Sequence, residues 1–384
     1  MKNWKRLLAL LLSGAIALSL FACKAGDDPN SLDSPEPSDE ASADPDDDAS
    51  ATPEIVADLS QPILEFSAGL SPDDTMLTIN GDPVPADLFL YMLATNCMSM
   101  QSYLPYFGMT LDDVADTLIE ESVNMAVYHN LIRQKVAELG CLPTDAQNAE
   151  IRAAMDEADL ETNAPYWGLT DSTSELIFSI SIYYDNLLDA ATHEPTEQEL
   201  ADYIAGTGDY RVKHILLKTV DDDNAPLPDD EIAAKKAQAE DLLAQLQAAS
   251  DLPALFDELM NEFSEDGRDE NGSLYSPDGY LANPGQMVSA FEEASLALKE
   301  GELSGIVESE YGYHIILRLP FTDEDMAEYR KACRAAVMEE LIAQWQDEAD
   351  IVRSDALNNL DPADFYNRLS AYQQALAAQA EGEG

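Results

Sequence analysis

The spacing of apolar residues divides the chain into helical parts and two strand-like runs. From about residue 85 to residue 205, apolar side chains recur three to five positions apart, which predicts a set of helices. The clearest series is Leu111, Val114, Leu118, Val123 and Val127. Before these helices, Asn80-Gly81 separates two short apolar runs and favours the tight turn of a β-hairpin. The N-terminal part is therefore predicted to be a helical bundle that opens with a small hairpin.

The period of the pattern changes at Tyr210. Residues 211–218 and 311–319 are apolar runs with the composition of strands, and Pro320 ends the second run. Three helical stretches lie between them, at residues 231–249, 252–263 and 288–298. Residues 209–320 are therefore predicted to form a separate domain that contains both helices and strands.

Helical spacing returns after this domain, at residues 322–348 and 362–380. These two stretches carry too little apolar surface to fold alone. We therefore expect residues 321–384 to pack on the helical region of residues 66–208, with the domain of residues 209–320 as an insert between them. The expected fold class is α+β.

The first 22 residues have the pattern of a secretory signal peptide. Lys2, Lys5 and Arg6 precede an apolar run that ends in small residues. The run is shorter than the roughly 20 residues that a membrane span needs. We therefore expect a signal that is removed rather than a permanent membrane helix.

The signal peptide ends in Leu20-Phe21-Ala22-Cys23, which resembles the lipobox of bacterial lipoproteins. The resemblance implies that Cys23 is lipidated and anchors the protein to the outer face of the bacterial cell membrane. Phe21 is bulkier than a lipobox usually carries, which leaves cleavage by an ordinary signal peptidase as the alternative. Residues 23–65 are rich in Asp, Ser, Pro and Ala and are predicted to form a disordered tether, whose acidic runs could bind cations weakly.

Composition excludes one class of partner. The 384 residues are 46% hydrophobic, enough for about two domains with their own cores. Against 20 basic residues stand 75 acidic ones, and the formal net charge is −55. Because such a surface repels phosphate backbones, nucleic acid is not an expected partner.

Three cysteines follow the lipobox, Cys97, Cys141 and Cys333. Their spacing, taken with that of the histidines, matches no metal site. At most one disulfide can form among them, and burial as small apolar residues is the alternative.

Five blocks within residues 209–320 carry the most specific signal. They are Val212-Lys213-His214-Ile215-Leu216, Phe263-Ser264-Glu265-Asp266, Pro284-Gly285-Gln286-Met287-Val288-Ser289-Ala290-Phe291-Glu292, Gly301-Glu302-Leu303-Ser304-Gly305-Ile306-Val307 and Tyr311-Gly312-Tyr313-His314-Ile315-Ile316. In this order the blocks resemble the parvulin family of peptidyl-prolyl cis/trans isomerases. The signal peptide and flanking helical regions are similar to those of PrsA-like and SurA-like extracytoplasmic foldases.

The resemblance implies a fold and a set of catalytic residues. The fold is a four-stranded antiparallel sheet with surrounding helices, inserted in a helical chaperone-like domain. His214 and His314 would lie on adjacent central strands and share a hydrogen-bond network with Ser309. Asp266 would lie beside the peptide bond that rotates.

The resemblance also implies the walls of a proline pocket. Met287 and Phe291 would form two of them. The third wall could be Leu274 or Leu281, because the glycine-rich stretch at residues 272–280 is longer than in the family. The reaction needs no nucleophile, metal or cofactor, since the barrier is the partial double bond of the amide.

Each of these side chains also has a structural interpretation. His214 and His314 could simply hold two strands in register, and Met287 and Phe291 could be ordinary core residues. Asp266 could cap a helix. A set of residues at 92–107 could likewise be core or a surface for unfolded clients: Met92, Met98, Met100, Tyr103, Tyr106 and Phe107.

The loop at residues 221–230 bears on the substrate. It is strongly acidic, whereas parvulins that select phosphoserine-proline carry Arg and Lys there. We therefore expect an isomerase of ordinary Xaa-Pro bonds, with unfolded or proline-containing secreted polypeptides as partners. The alternative is a holdase chaperone with a catalytically silent parvulin domain.

Overall fold

The computed structural model describes residues 55–221, 223–269 and 271–382. The predicted signal peptide, Cys23 and most of the predicted tether lie outside these residues. Contacts divide the chain into two compact units. The first combines the residues up to Thr192 with Met338–Gly384, and the second is His193–Val337.

The helices and strands follow one another in this order: α1 (Ile63–Ala68), β1 (Thr75–Ile79), β2 (Asp82–Pro85), α2 (Ala86–Gln101), α3 (Ala115–Leu139), α4 (Asp145–Glu157), α5 (Leu160–Trp167), α6 (Asp171–Ala191), α7 (Glu197–Thr207), β3 (Tyr210–Lys218), α8 (Asp229–Gln247), α9 (Leu252–Phe263), β4 (Tyr280–Ala282), α10 (Ser289–Ala297), β5 (Leu303–Ser309), β6 (Gly312–Leu319), α11 (Asp323–Glu348), β7 (Ile351–Arg353), α12 (Asp355–Asn358) and α13 (Pro362–Gly382). Two short 3-10 helices, Leu104–Phe107 and Asp112–Val114, join α2 to α3.

The first unit is a helical bundle with one small sheet. The predicted hairpin is present: Asn80 and Gly81 both have positive φ, as a type I′ turn requires, and join β1 to β2. The unpredicted strand β7 pairs with β1 and completes the sheet order β2-β1-β7. Helix α1 begins inside the segment predicted to be a disordered tether, and its residues Ile63 and Leu64 are buried.

The last helix, α13, packs where the sequence predicts. Phe365, Leu369 and Tyr372 of α13 are buried in the same core as Ile63 and Phe66 of α1. That single core also holds the apolar face of α2. The α+β class, with a strand-containing segment between two helical parts of one bundle, is thus confirmed.

The second unit is built on a four-stranded antiparallel sheet of order β4-β3-β6-β5. One face of the sheet carries Ile215, Leu217, Tyr313, Ile315 and Leu317, which pack on α8 and α9. The other face carries Tyr210, Val212, His214, His314 and Ile316, and α10 covers it. Both faces are therefore buried, which explains why these strands are continuous apolar runs.

The second unit extends beyond the predicted boundaries of 209 and 320 at both ends. Leu200 of α7 is buried against Tyr329 and Cys333 of α11. A capping box begins α7, with Thr196 and Glu199 exchanging hydrogen bonds. Helix α7 and the first part of α11, both outside the predicted domain, thus belong to the second unit.

The described cysteines, Cys97, Cys141 and Cys333, are free, and Cys97 and Cys333 are buried. Burial raises the pKa of the Cys97 thiol to about 12. Within the described part of the chain no helix combines the length and the apolar character that a membrane crossing would need.

Candidate active site

Adjacent strands bring the two histidines together. His214 of β3 is opposite Ile316, and His314 of β6 is opposite Leu216. The histidines are therefore diagonal neighbours on one face of the sheet. Their rings are stacked, 5.3 Å apart and 11° from parallel, and their Nδ1 atoms are 3.1 Å apart. Both side chains are buried.

Asp266 and Ser309 extend this pair at its two ends. Asp266 Oδ2 lies 3.1 Å from His214 Nε2, and Ser309 Oγ lies 2.7 Å from His314 Nε2. The result is a continuous chain of hydrogen-bonded groups from Asp266 through both rings to Ser309. The structure thus brings together the four residues predicted to be catalytic.

The loop after α9 holds Asp266 in place. The Leu216 carbonyl accepts from the Glu265 N–H at 2.8 Å, and the Leu216 N–H donates to Ser264 Oγ at 3.2 Å. Asp266 therefore follows a helix and faces His214, and its carboxylate caps no helix. The residue that caps α9 is Asp251, whose carboxylate accepts from the Ala254 N–H.

The charge of the site is concentrated on Asp266. Burial alone would raise the pKa of its carboxyl, but hydrogen bonds from His214, Tyr280 and the Gly267 N–H outweigh burial and hold that pKa well below its usual range. For His314, burial and then the neighbouring His214 lower the pKa to about 4. At neutral pH the site thus contains a carboxylate and a neutral His314.

An apolar wall lies against the histidines. Phe291 of α10 is buried and meets both rings edge-on, with centroids 5.0 Å from His214 and 5.3 Å from His314. Met287 is half-buried and packs on the same cluster. Of the two candidates for a third wall, Leu274 lines a narrow cavity with His214 and Asp266, whereas Leu281 on β4 is 40% exposed.

The sequence interpretation overlooked a tyrosine. Tyr280 donates a hydrogen bond to Asp266 Oδ2, and its ring meets His214 edge-on at 5.8 Å. Its position, within a glycine-rich stretch of ambiguous register, gave no sign of this contact.

A second feature that was missed is a cavity of about 530 Å³ beside Asp266. Three cationic side chains line it, Lys218, Lys235 and Arg268. Lys235 pairs with Glu265, and Arg268 donates to main-chain carbonyls. The acidic loop considered above is thus not the only charge near the site. Asp222 of that loop lies outside the described residues.

The second unit carries a parvulin-type domain. Residues 214–319 match the family model of the rotamase, PPIC-type PPIASE domain. The matched range runs from the first histidine of the site to the end of β6. The four hydrogen-bonded residues Asp266, His214, His314 and Ser309 all lie within this range.

Among curated proteins, the chain is similar to foldases and chaperones. It is 31% identical to the foldase protein PrsA of Geobacillus kaustophilus over 203 residues, which are 52% of this chain and 63% of that protein. It is 34% identical to the chaperone SurA of Thiobacillus denitrificans over 155 residues, 40% of this chain and 32% of that protein. The chain therefore spans less than two thirds of these relatives.

Among solved structures, it is similar to peptidylprolyl isomerase PrsA from Bacillus cereus. The sequence identity is 19% and the TM-score is 0.32, over 78% of this chain and 99% of that one.

Proposed function

We propose that this protein is an extracytoplasmic foldase that catalyses cis/trans isomerisation of Xaa-Pro bonds in unfolded secreted polypeptides. The observation that carries the proposal is the chain from Asp266 through His214 and His314 to Ser309, lying against Phe291. A buried row of hydrogen-bonded side chains beside an apolar wall suits a reaction that consists only of rotation about the amide bond.

The barrier to be lowered is about 18 to 20 kcal/mol and comes from the partial double bond of the amide. Met287 and Phe291 would contact the pyrrolidine ring, and the aliphatic side chain of Leu274 would close the pocket.

 Such a pocket lowers the barrier if it binds the twisted amide more tightly than either planar form. The Asp266 carboxylate would set the electric field at the rotating carbonyl, and the two histidines would hold that carboxylate and both strands in place.

The test is a proline-limited isomerisation assay with the purified full chain. The peptides carry Ala, Lys, Glu or phosphoserine before proline. We expect acceleration of the Ala and Lys peptides over a background that relaxes in about 10 to 100 s. We also expect Met287→Ala to reduce the acceleration at least tenfold. A folded chain that accelerates none of the peptides would refute the enzyme proposal.

The same peptides test the absence of phosphate selection. Asp221 and Asp223 lie in the acidic loop, and the chain as a whole is strongly negative. These charges favour ordinary or basic-flanked sites over phosphorylated ones. Lys218 and Lys235 oppose this tendency locally. A preference for the phosphoserine peptide would overturn this part of the proposal.

A second candidate, the holdase chaperone, is favoured by the surface of the first unit. Met92 and Met100 are core residues, but the other four members of the set at residues 92–107 are exposed: Met98, Tyr103, Tyr106 and Phe107. Exposed aromatic side chains of this kind are candidates for contact with unfolded chains. Suppression of client aggregation without any acceleration of the peptides would select this function.

We propose further that the chain is secreted and anchored by a lipid on Cys23. The support is the charged and apolar pattern of residues 1–22 and the lipobox-like ending. Weak cation binding by the acidic tether belongs to the same proposal, and it requires only the carboxylates of residues 23–65.

Replacing Cys23 with serine is expected to move the protein from the membrane fraction to the soluble fraction of its bacterial host. The reason is that serine cannot carry the thioether-linked lipid. Immunoblots of the two fractions measure the change, and Cys141→Ser is the control because Cys141 lies within the folded first unit. A serine variant that stays with the membrane would contradict the anchor.

A further inference from the structure

We propose that Tyr280 is a positioning residue of this site, and that its hydroxyl fixes the Asp266 carboxylate and thereby the hydrogen positions on His214 and His314. The role in catalysis rests on the isomerase function proposed above. The hydrogen positions can be measured whether or not the chain is an isomerase.

Tyr280 is itself held firmly. It is the first residue of β4 and pairs with Val212 of the central strand β3. Its ring lies edge-on to His214 at an interplanar angle of 69°. Its hydroxyl donates to Asp266 Oδ2, the same oxygen that faces His214 Nε2. One side chain therefore contacts both the carboxylate and the ring that the carboxylate orients.

The hydrogen bond has a fixed direction. Burial, followed by the bond to Asp266, raises the pKa of the Tyr280 hydroxyl to about 12, so the phenol keeps its proton at neutral pH. The carboxyl of Asp266 has a lowered pKa and is ionised. An ionised carboxylate can only accept, so Tyr280 must donate.

This direction propagates along the chain of groups. Because Asp266 accepts, His214 must carry a hydrogen on Nε2, and in a ring with a single N–H hydrogen this leaves Nδ1 as an acceptor. His314 must then donate from Nδ1, and its Nε2 accepts from the Ser309 hydroxyl. Every donor therefore points towards Asp266.

Loss of the Tyr280 hydroxyl would remove this order. A carboxylate with one fewer donor can rotate away from His214 Nε2. The reverse arrangement, with the hydrogens on His214 Nδ1 and His314 Nε2, would then become comparable in energy. The dipoles beneath the proline pocket would no longer have one direction, whereas the apolar walls would be unchanged.

The kinetic test is Tyr280→Phe, which keeps the ring and removes only the hydroxyl. We expect kcat to fall about tenfold, the order expected for one hydrogen bond to a charged group. KM should stay within about twofold, because Met287 and Phe291 are untouched. Tyr275→Phe is the control: this ring lies in the loop just before β4, is 69% exposed and should leave both constants unchanged.

The structural test is the 15N spectrum of the histidine rings in the full chain. In the wild type we expect hydrogen on His214 Nε2 and on His314 Nδ1, and in Tyr280→Phe a mixture of both arrangements. A wild-type His214 that carries its hydrogen on Nδ1 when neutral would overturn the proposal even if the variant does not fold.

The remaining outcomes are equally informative. An unchanged spectrum in a folded Tyr280→Phe variant would refute control of the hydrogen positions. An altered spectrum with unchanged kcat would refute a positioning role in the reaction. If the wild type accelerates no peptide, the proposed function fails, and the spectra still decide whether Tyr280 sets the hydrogen positions.

Discussion

Replacing Gly312 with alanine is expected to destabilise the second unit by more than about 3 kcal/mol. Gly312 begins β6 with a φ of +146°, a backbone conformation that residues with a Cβ rarely adopt. A Cβ built there would lie 2.1 Å from the Leu217 carbonyl oxygen and 2.9 Å from the Lys218 Cα. Both are main-chain atoms of the central strand β3, so neither can move without breaking the sheet.

Two other glycines separate the causes. Gly301 also has a positive φ, but no atom lies within 4 Å of its added Cβ, and alanine there should destabilise by about 1 kcal/mol. Gly305 of β5 has neither a positive φ nor a close neighbour, and alanine there should be nearly neutral. The three variants therefore separate the cost of a positive φ from the cost of a clash between the added Cβ and neighbouring atoms.

The measurement must follow the second unit alone. Neither Trp167 nor Trp345 lies in it, so tryptophan fluorescence does not report on it. Hydrogen exchange of the β3 and β6 amides gives the free energy of opening directly. If these amides are equally protected from hydrogen exchange in the Gly312→Ala and Gly305→Ala variants, the collision argument is wrong.

The same position bears on the site. Gly312 pairs with Ser309 across the β5–β6 hairpin and with Lys218 on β3. The Ser309 hydroxyl is hydrogen-bonded to Nε2 of His314, two residues after Gly312. A shift of this hairpin would therefore also lengthen the hydrogen bond between Ser309 and His314.

Local patterns in the sequence were enough to predict the main elements. The Asn80-Gly81 turn, the helix of residues 252–263 and the strands around His214 and His314 are all specified by neighbouring residues. The pairing of the two histidines came from the resemblance to parvulins, because no local pattern states which strands are adjacent.

What was missed depends on contacts between distant residues. Strand β7 has only three residues and becomes a strand by pairing with β1, more than 270 positions earlier. The edges of the second unit depend on Leu200 meeting Tyr329. The choice of Leu274 over Leu281 and the contact of Tyr280 with Asp266 likewise needed the fold of the loop between α9 and β4.

Acidification from pH 7 to pH 4 is expected to remove about 3 kcal/mol of stability from the first unit through His129 alone. His129 of α3 is buried, and its Nδ1 has no hydrogen-bond partner within the described residues. Burial lowers the pKa of this ring from 6.5 to about 4. The unfolded chain takes up a proton near pH 6.5, and the folded chain does so only near pH 4. The contribution is therefore complete above pH 6.5 and is lost as the pH falls towards 4.

His129→Leu removes this titration and leaves the carboxylates of the first unit in place. Between pH 7 and pH 4, the free energy of unfolding of the variant should rise by about 3 kcal/mol relative to that of the wild type. Acid effects common to both proteins cancel in this comparison. Urea unfolding followed by tryptophan fluorescence measures it, since Trp167 and Trp345 both pack in the first unit. His193→Leu, at an exposed position of the second unit, should leave these curves unchanged. If the difference in free energy of unfolding between His129→Leu and the wild type is the same at pH 7 and pH 4, His129 is not held neutral by the fold.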